Sequence, residues 1–224
     1  MVKRSFFYSS AFRYKLGLLL VHGKKNLKER YEYIASKIES EDDVLEPLCG
    51  PAILPDYLNK DIKYKGFDLN QNFIKYAQKK HRKKDNIEIM LGSALDPDNY
   101  KSIDVVVFCD ALQNLGLEKE KKAINYAYCI AKKKVIICEP FKDLYLKRFC
   151  LIPNPLKYNI LEKYFDFIQK DGINEIKLMN IRTEQELKQD MDNGFDIIPN
   201  KVKRDYHKIH ENMIVTYYIN QQIL

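Results

Sequence analysis

The sequence predicts an α/β chain built on an open, doubly wound, mostly parallel sheet. Short apolar runs such as Asp104-Val105-Val106-Val107-Phe108-Cys109 are β-branched throughout, as suits a strand covered on both faces. These runs alternate with segments whose apolar residues recur at helical spacing. Repeated units of this kind bury both sheet faces only if the strands run parallel and the crossovers are right-handed.

Near the start, Asn26 is placed to cap a helix carrying Leu27, Tyr31, Ile34 and Ile38 on one face, so residues 1–42 read as a helical segment. The core spans 43–139. Its first strand is Asp43-Val44-Leu45-Glu46, followed by Pro/Gly punctuation and a helical stretch from about Ile53. Tyr64–Asp68 is the second strand, and Asn70 caps a helix with Phe73, Ile74 and Ala77 on one face. Ile87, Ile89 and Leu91 alternate with polar residues, as in a half-exposed third strand. The fourth strand is the 104–109 run. A helix with Ile124, Ala127 and Ala131 in a buried stripe then leads to a fifth strand, Lys134–Cys138.

The alternation breaks after Glu139. Residues 140–182 hold Phe141, Tyr145, Phe149, Tyr158, Tyr164, Phe165 and Phe167 together with Pro153 and Pro155, and read as an inserted helical lid too short for its own core. Residues 183–224 close the chain. Thr183-Glu184-Gln185-Glu186 has the form of a capping box, Leu187 and Met191 share a helix face, and Gly194 stops the helix. Asp196–Arg204 and Asn212–Asn220 are spaced to form an antiparallel hairpin, giving seven strands in one 224-residue domain.

Composition excludes several classes. With 46% hydrophobic residues, the chain is neither a disordered tail nor a disulfide-stapled miniature. A mean hydropathy of −0.44 excludes a membrane-embedded protein. The run Leu16–Val21 is too short to span a bilayer, and no small-residue cleavage site follows it. Five scattered cysteines, an odd number, suit a reduced cytoplasmic protein. The net charge is +7, and its densest run is Lys79-Lys80-His81-Arg82-Lys83-Lys84. No aromatic residue interleaves that run, so solvated helix ends are favoured over a nucleic-acid platform.

In an open α/β sheet, ligands bind beyond the carboxyl ends of the strands. The residues there are Glu46 to Ala52, Asp68, Ser93, Asp110 and Glu139. Asp68 follows Glu46 by 22 residues, which suits a carboxylate that receives a ribose diol. The turn Glu46-Pro47-Leu48-Cys49-Gly50-Pro51-Ala52 lacks the GxGxxG pattern, and Pro51 removes a backbone donor a pyrophosphate would need. Glu46 would also repel phosphate. The site disfavours an anionic dinucleotide and accommodates a nucleoside bearing positive charge.

Five segments in order resemble the class I S-adenosylmethionine-dependent methyltransferases over residues 43–139. Val44–Ala52 resembles the acidic residue and Gly-x-Gly-x-Gly-like turn, with Leu48 and Ala52 in place of the outer glycines. Gly66-Phe67-Asp68-Leu69-Asn70 resembles the second motif. Leu91-Gly92-Ser93-Ala94-Leu95 resembles the adenine-binding segment, with Ser93 where an aspartate is usual. Asp104–Leu115 and Lys134–Pro140 resemble the fourth- and fifth-strand motifs.

The resemblance implies a Rossmann-like fold and S-adenosyl-L-methionine as cofactor. By it, Asp68 holds the ribose hydroxyls, Leu69 packs on adenine, and Ser93 and Ala94 line the base. Gly50 with Leu48 and Ala52 underlies the methionine part, and Glu46 and the Cys109 carbonyl serve its amino group. A Cβ on Ala52 intrudes where backbone usually approaches the ligand.

A general base is needed only if the acceptor must lose a proton. Asp110 ranks first by position, ahead of Glu139, His207 and His210. His207-x-x-His210 lies on a strand, where i and i+3 point to opposite faces, so no metal site is expected. His22 and His81 read as surface residues. The aromatic lid suits a small acceptor with apolar or aromatic surface. An RNA acceptor, or a non-catalytic scaffold with a degenerate motif, are the alternatives. The Cys109-Asp110-Ala111-Leu112 segment lacks the Asn-Pro-Pro-Tyr-like pattern of amino-nucleobase methyltransferases.

Overall fold

The computed structural model describes residues 5–144, 160, 163 and 181–219. Two helices come first, α1 (Ala11–His22) and α2 (Lys24–Ser36). The sheet then alternates with helices: β1 (Asp43–Pro47), β2 (Lys63–Asp68), α3 (Gln71–His81), β3 (Ile87–Leu91), β4 (Ile103–Cys109), α4 (Leu117–Ile130) and β5 (Ala131–Pro140). α5 (Glu184–Asp192) and the hairpin strands β6 (Lys203–Ile209) and β7 (Asn212–Tyr218) follow.

The seven strands lie in the order β3-β2-β1-β4-β5-β7-β6. β1 to β5 pair in parallel, and β7 is antiparallel to both β5 and β6. The sheet reverses its winding between β1 and β4, which places a crevice at their carboxyl ends. This is the Rossmann-like sheet with a terminal hairpin that the alternating pattern predicts.

Strand alternation sorts the core into two layers. Leu45, Phe67, Val106, Phe108, Val135 and Ile137 face α4 and α5. Val44, Tyr64, Val105, Val107, Ile136 and Cys138 face α2 and α3. Continuous apolar strands therefore reflect cover on both sides. Asn70 caps α3 by accepting from the Asn72 amide. Thr183 and Glu186 form the reciprocal capping box of α5, and Gly194 adopts φ +60 just beyond that helix.

Four expectations are corrected. Asn26 is not a cap: α2 begins at Lys24 after Gly23 (φ +80), and Asn26 is buried inside it, bonded to Asn212. The stretch from Ile53 is only a 3-10 turn, Leu54–Asp56, since Pro55 and the early exit toward β2 leave no room for an α-helix. The first hairpin strand starts at Lys203 rather than Asp196, because Gly194, Phe195 and Asp196 turn with positive φ. His22 and His81 are buried, and His81 Nε2 lies 3.2 Å from the Ala52 carbonyl. The lid expected over 140–182 falls, apart from residues 140–144, 160, 163, 181 and 182, outside the described residues, as does Cys150.

Removing the cap hydroxyl of α5 tests the local reading. Thr183→Ala is expected to cost about 1 kcal/mol, read as a lowered urea midpoint with an unchanged slope.

Candidate active site

The loop after β1 is built from left-handed backbone. Leu48 (φ 58), Gly50 (φ 54) and Ala52 (φ 49) alternate with other conformations along it. Only glycine adopts this region without a Cβ penalty, so Leu48 and Ala52 each carry about 1 kcal/mol of strain. The conformation of a three-glycine turn therefore persists with a single glycine. Burial of Ala52 and packing of Leu48 against the core hold it in place. Asp110, following β4, is also left-handed (φ 54).

Asp68 braces this loop from the end of β2. Its Oδ2 accepts the Gly50 amide at 3.0 Å, and its Oδ1 accepts the Asn70 amide at 2.7 Å. The acid expected to bind sugar thus also fixes the β1 turn against the start of α3. A carboxylate offers about four acceptor positions, so two amides do not exhaust it.

Glu46 lies opposite Gly66 in the β1–β2 register and is buried. Tyr64, two residues earlier on β2, reaches across Gly66 to donate its hydroxyl to Glu46 Oε2 at 2.5 Å. A Cβ at Gly66 would stand 2.6 Å from that hydroxyl, so the bond needs glycine there. Burial pushes Glu46 up to about 8, against the lowering effect of the Tyr64 bond, and the Asp68 charge adds to the rise.

Glu46, Leu48, Gly50, Asp68, Leu69, Ser93, Ala94, Cys109 and Asp110 line one crevice of about 280 Å³. Ala52 does not. It is fully buried among Leu54, Ile74 and Ala77, so its methyl belongs to the core and takes no space from a ligand. The Ser93 hydroxyl accepts the Leu95 amide at 3.1 Å, leaving its own proton as donor. Tyr8, Tyr14 and Phe73 line the crevice, with the Tyr14 and Phe73 rings 4.8 Å apart and both against Gly50 of the β1 loop, each 3.9 Å from where a Cβ on Gly50 would stand. Burial, with the charges of Asp110 and Asp68, raises the Tyr14 phenol, which stays neutral.

Asp110 is not a solitary base. Arg30 Nη1 lies 2.7 Å from its Oδ2, and His22 Nε2 lies 3.4 Å from the same oxygen. Arg30 is fully buried and also donates to Asn212 Oδ1 at 2.9 Å. Its Nε and Nη2 have no hydrogen-bond partner among the described residues. The Asp110 side chain is thus held between a guanidinium and an imidazole, and its Oδ2 faces both.

Glu139 does not line the crevice. Its Oε1 accepts the amides of Ala111 and Leu112 at 2.9 Å each, which secures the turn after β4. Burial and then the Asp110 charge push it up to about 8. His207 stacks on Tyr33 at 3.9 Å, and His210 pairs with Glu29 at 2.9 Å, both away from the crevice. The sequence reading missed Arg30, Tyr8 and Tyr14. Arg30 had a signal, since it sits three residues after Leu27 and four before Ile34 on the apolar stripe of α2. The tyrosines had none.

Residues 45–138 match a family model described as a methyltransferase domain. No curated protein sequence matches the chain. Among solved structures, it is similar to a plantazolicin methyltransferase determined with a desmethyl analogue and SAH. The identity is 12%, covering 96% of this chain and 93% of that one, with a TM-score of 0.66. It is also similar to magnesium protoporphyrin IX methyltransferase from Synechocystis PCC 6803 with bound SAH, at 12% identity over 89% of this chain and 84% of that one, TM-score 0.58. An O-methyltransferase family protein from Burkholderia thailandensis is similar at 12% identity, TM-score 0.59; 98% of this chain is covered, but the chain spans only 65% of that protein. At these identities the structures speak for the fold. The family match thus assigns a methyltransferase domain to residues 45–138, the part of the chain that forms β1 to β5 and the crevice at their carboxyl ends.

Two outcomes follow from the buried charges. A carboxyl raised by folding contributes stability that is full below its unfolded value of 4.5 and is lost as pH rises through about 8. Glu46→Gln is therefore expected to flatten the decline in urea midpoint of the ligand-free enzyme across that window. Arg30→Met leaves Asp110 buried without its partner and is expected to cost about 3–5 kcal/mol. The double variant Arg30→Met/Asp110→Leu should recover most of that loss in the same unfolding measurement.

Proposed function

We propose that this crevice transfers a methyl group from S-adenosylmethionine to a small acceptor with apolar or aromatic surface. The observation that carries the proposal is the convergence of residues from four strand ends on one crevice with an acid at each end. Asp68 accepts from the ribose hydroxyls, Leu69 covers one face of adenine, and Ser93 and Ala94 lie along the base edge. Glu46 and the Cys109 carbonyl receive the ammonium of the methionine part, above Gly50 and Leu48. A cation beside Glu46 favours its ionised form, so binding of the cofactor releases a proton below about pH 8.

The sulfonium is already an activated donor, so the protein's task is alignment and exclusion of water. Tyr8, Tyr14 and Phe73 supply that cover and an apolar wall for the acceptor. Asp110 stays at the methyl end, but its Oδ2 is already engaged by Arg30 Nη1 at 2.7 Å, so that oxygen is not open to an acceptor's proton. An acceptor that is neutral when it attacks, or that loses its proton to water, fits this arrangement. The plantazolicin analogue and the magnesium protoporphyrin IX named for two similar enzymes support a small-molecule acceptor over a nucleic acid.

Calorimetry with S-adenosylmethionine and its demethylated product tests the cofactor site. Both should bind the wild-type enzyme, and Asp68→Asn should weaken each about tenfold or more, because charge-assisted bonds to the sugar are lost. Unchanged affinity in a folded Asp68→Asn protein removes Asp68 from the site.

A further inference from the structure

The chain's net charge is not spread over its surface. Residues 1–28 contain seven Lys or Arg and no Asp or Glu, and the remainder of the chain holds 31 of each sign. The whole +7 is thus concentrated in the segment that contains α1 and the start of α2. The same segment carries most of the large apolar side chains that face solvent. Phe12 is 74% exposed, Leu20 61%, Leu19 45% and Leu16 42%, and Phe6, in the turn before α1, is 51% exposed. Positions 12, 16, 19 and 20 fall at i, i+4, i+7 and i+8, which is one continuous stripe along α1.

The opposite side of α1 is the packed one. Ala11 is buried with Tyr8 and Phe73, while Tyr14 and Leu18 line the crevice. α1 therefore separates the crevice from solvent, with an apolar stripe outward and cations on its flanks. Arg13 lies over the Phe6 ring, 4.2 Å from its centroid, and Lys25 is exposed, with Glu29 at 3.7 Å. Clustered exposed apolar side chains on a soluble surface mark a contact site. Cations flanking such a stripe select a negatively charged apolar boundary.

We infer that the outer face of α1 docks in plane on an anionic phospholipid surface, with Phe12, Leu16, Leu19 and Leu20 in the acyl boundary and the exposed Arg13, Lys24, Lys25 and Lys28 at the headgroups. An RNA phosphate backbone would match the charge but gives no return for burying a leucine stripe. A second copy of the chain would match the stripe but would bring the +7 segments together. A bilayer satisfies both features. None of the described helices is long and apolar enough to cross a membrane, which is consistent with surface docking. The inference does not depend on the methyl-transfer reading, because the stripe lies outside the crevice. It would place the crevice behind a lipid-facing helix, where an apolar acceptor is available.

Vesicle sedimentation of the full chain tests it. The protein is expected to co-sediment with vesicles of phosphatidylcholine mixed with phosphatidylglycerol and to stay in solution with phosphatidylcholine alone. Raising the salt concentration should release it, since the attraction is screened. Phe12→Ser/Leu20→Ser should reduce partitioning about tenfold or more, as should Lys24→Gln/Lys25→Gln to a smaller degree, with cofactor binding by calorimetry unchanged in both. The chain has no Trp, so Leu20→Trp gives a single emitter whose fluorescence should shift to the blue on anionic vesicles. Absence of binding to anionic vesicles, or binding that Phe12→Ser/Leu20→Ser leaves intact, overturns the inference. So does a concentration-dependent dimer abolished by that variant, or salt-sensitive retention on RNA without retention on vesicles.

Discussion

The carboxylate of Asp68 joins two loops that would otherwise be independent. One oxygen holds the Gly50 amide in the turn after β1, and the other holds the Asn70 amide at the entry to α3. The turn it grips contains Leu48 and Ala52 in left-handed backbone, a conformation that neither residue adopts without strain. Once the turn is held, the crevice has a floor, Glu46 has a defined position, and Phe73 on α3 meets Tyr14 beside Gly50. Tertiary contacts thus hold Leu48 and Ala52 in the left-handed backbone that glycine would adopt without them.

A second set of polar contacts secures the other wall. Arg30 on α2 bridges Asp110 after β4 and Asn212 at the start of β7, and Asn212 reaches back to Asn26 on α2. Three segments distant in sequence meet there without water-exposed charge. Such a buried pair is weak evidence for stability, because desolvation offsets much of its attraction. Its effect here is positional: it fixes Asp110 at the end of β4, beside the neighbouring strand β1 whose end carries the buried Glu46. The crevice is therefore polarised before any ligand enters, which suits a cationic donor that requires alignment more than acid–base chemistry.

Much of the sheet was legible because strand signals are local. The runs at 43–46, 64–68, 87–91, 104–109 and 134–138 each lie within a strand, although β5 starts earlier than read, at Ala131, which the helical stripe had claimed. Capping by Asn70 and Thr183 was equally local, since a cap bonds within its own turn. Errors arose where a residue's partner lies far along the chain. Asn26 looked like a cap because asparagine favours caps, yet its side chain answers to Asn212. His22 looked like a surface residue because nothing near it in sequence is acidic, yet it packs against Asp110. Glu139 was reachable as a strand-end acid, but its use as an acceptor for the Ala111 and Leu112 amides required the fold.

The amino-acid order by itself determined the alternation of strands and helices, the parallel sheet, and which acids stand at strand ends, because hydrophobic period and strand-end position are written residue by residue. Only the tertiary structure decided that Ala52 faces the core while its neighbours face the crevice, that Arg30 pairs with Asp110, and that two tyrosines from the first segment line the crevice. Those outcomes depend on which side chains share a low-dielectric space, and that is set by how distant segments pack.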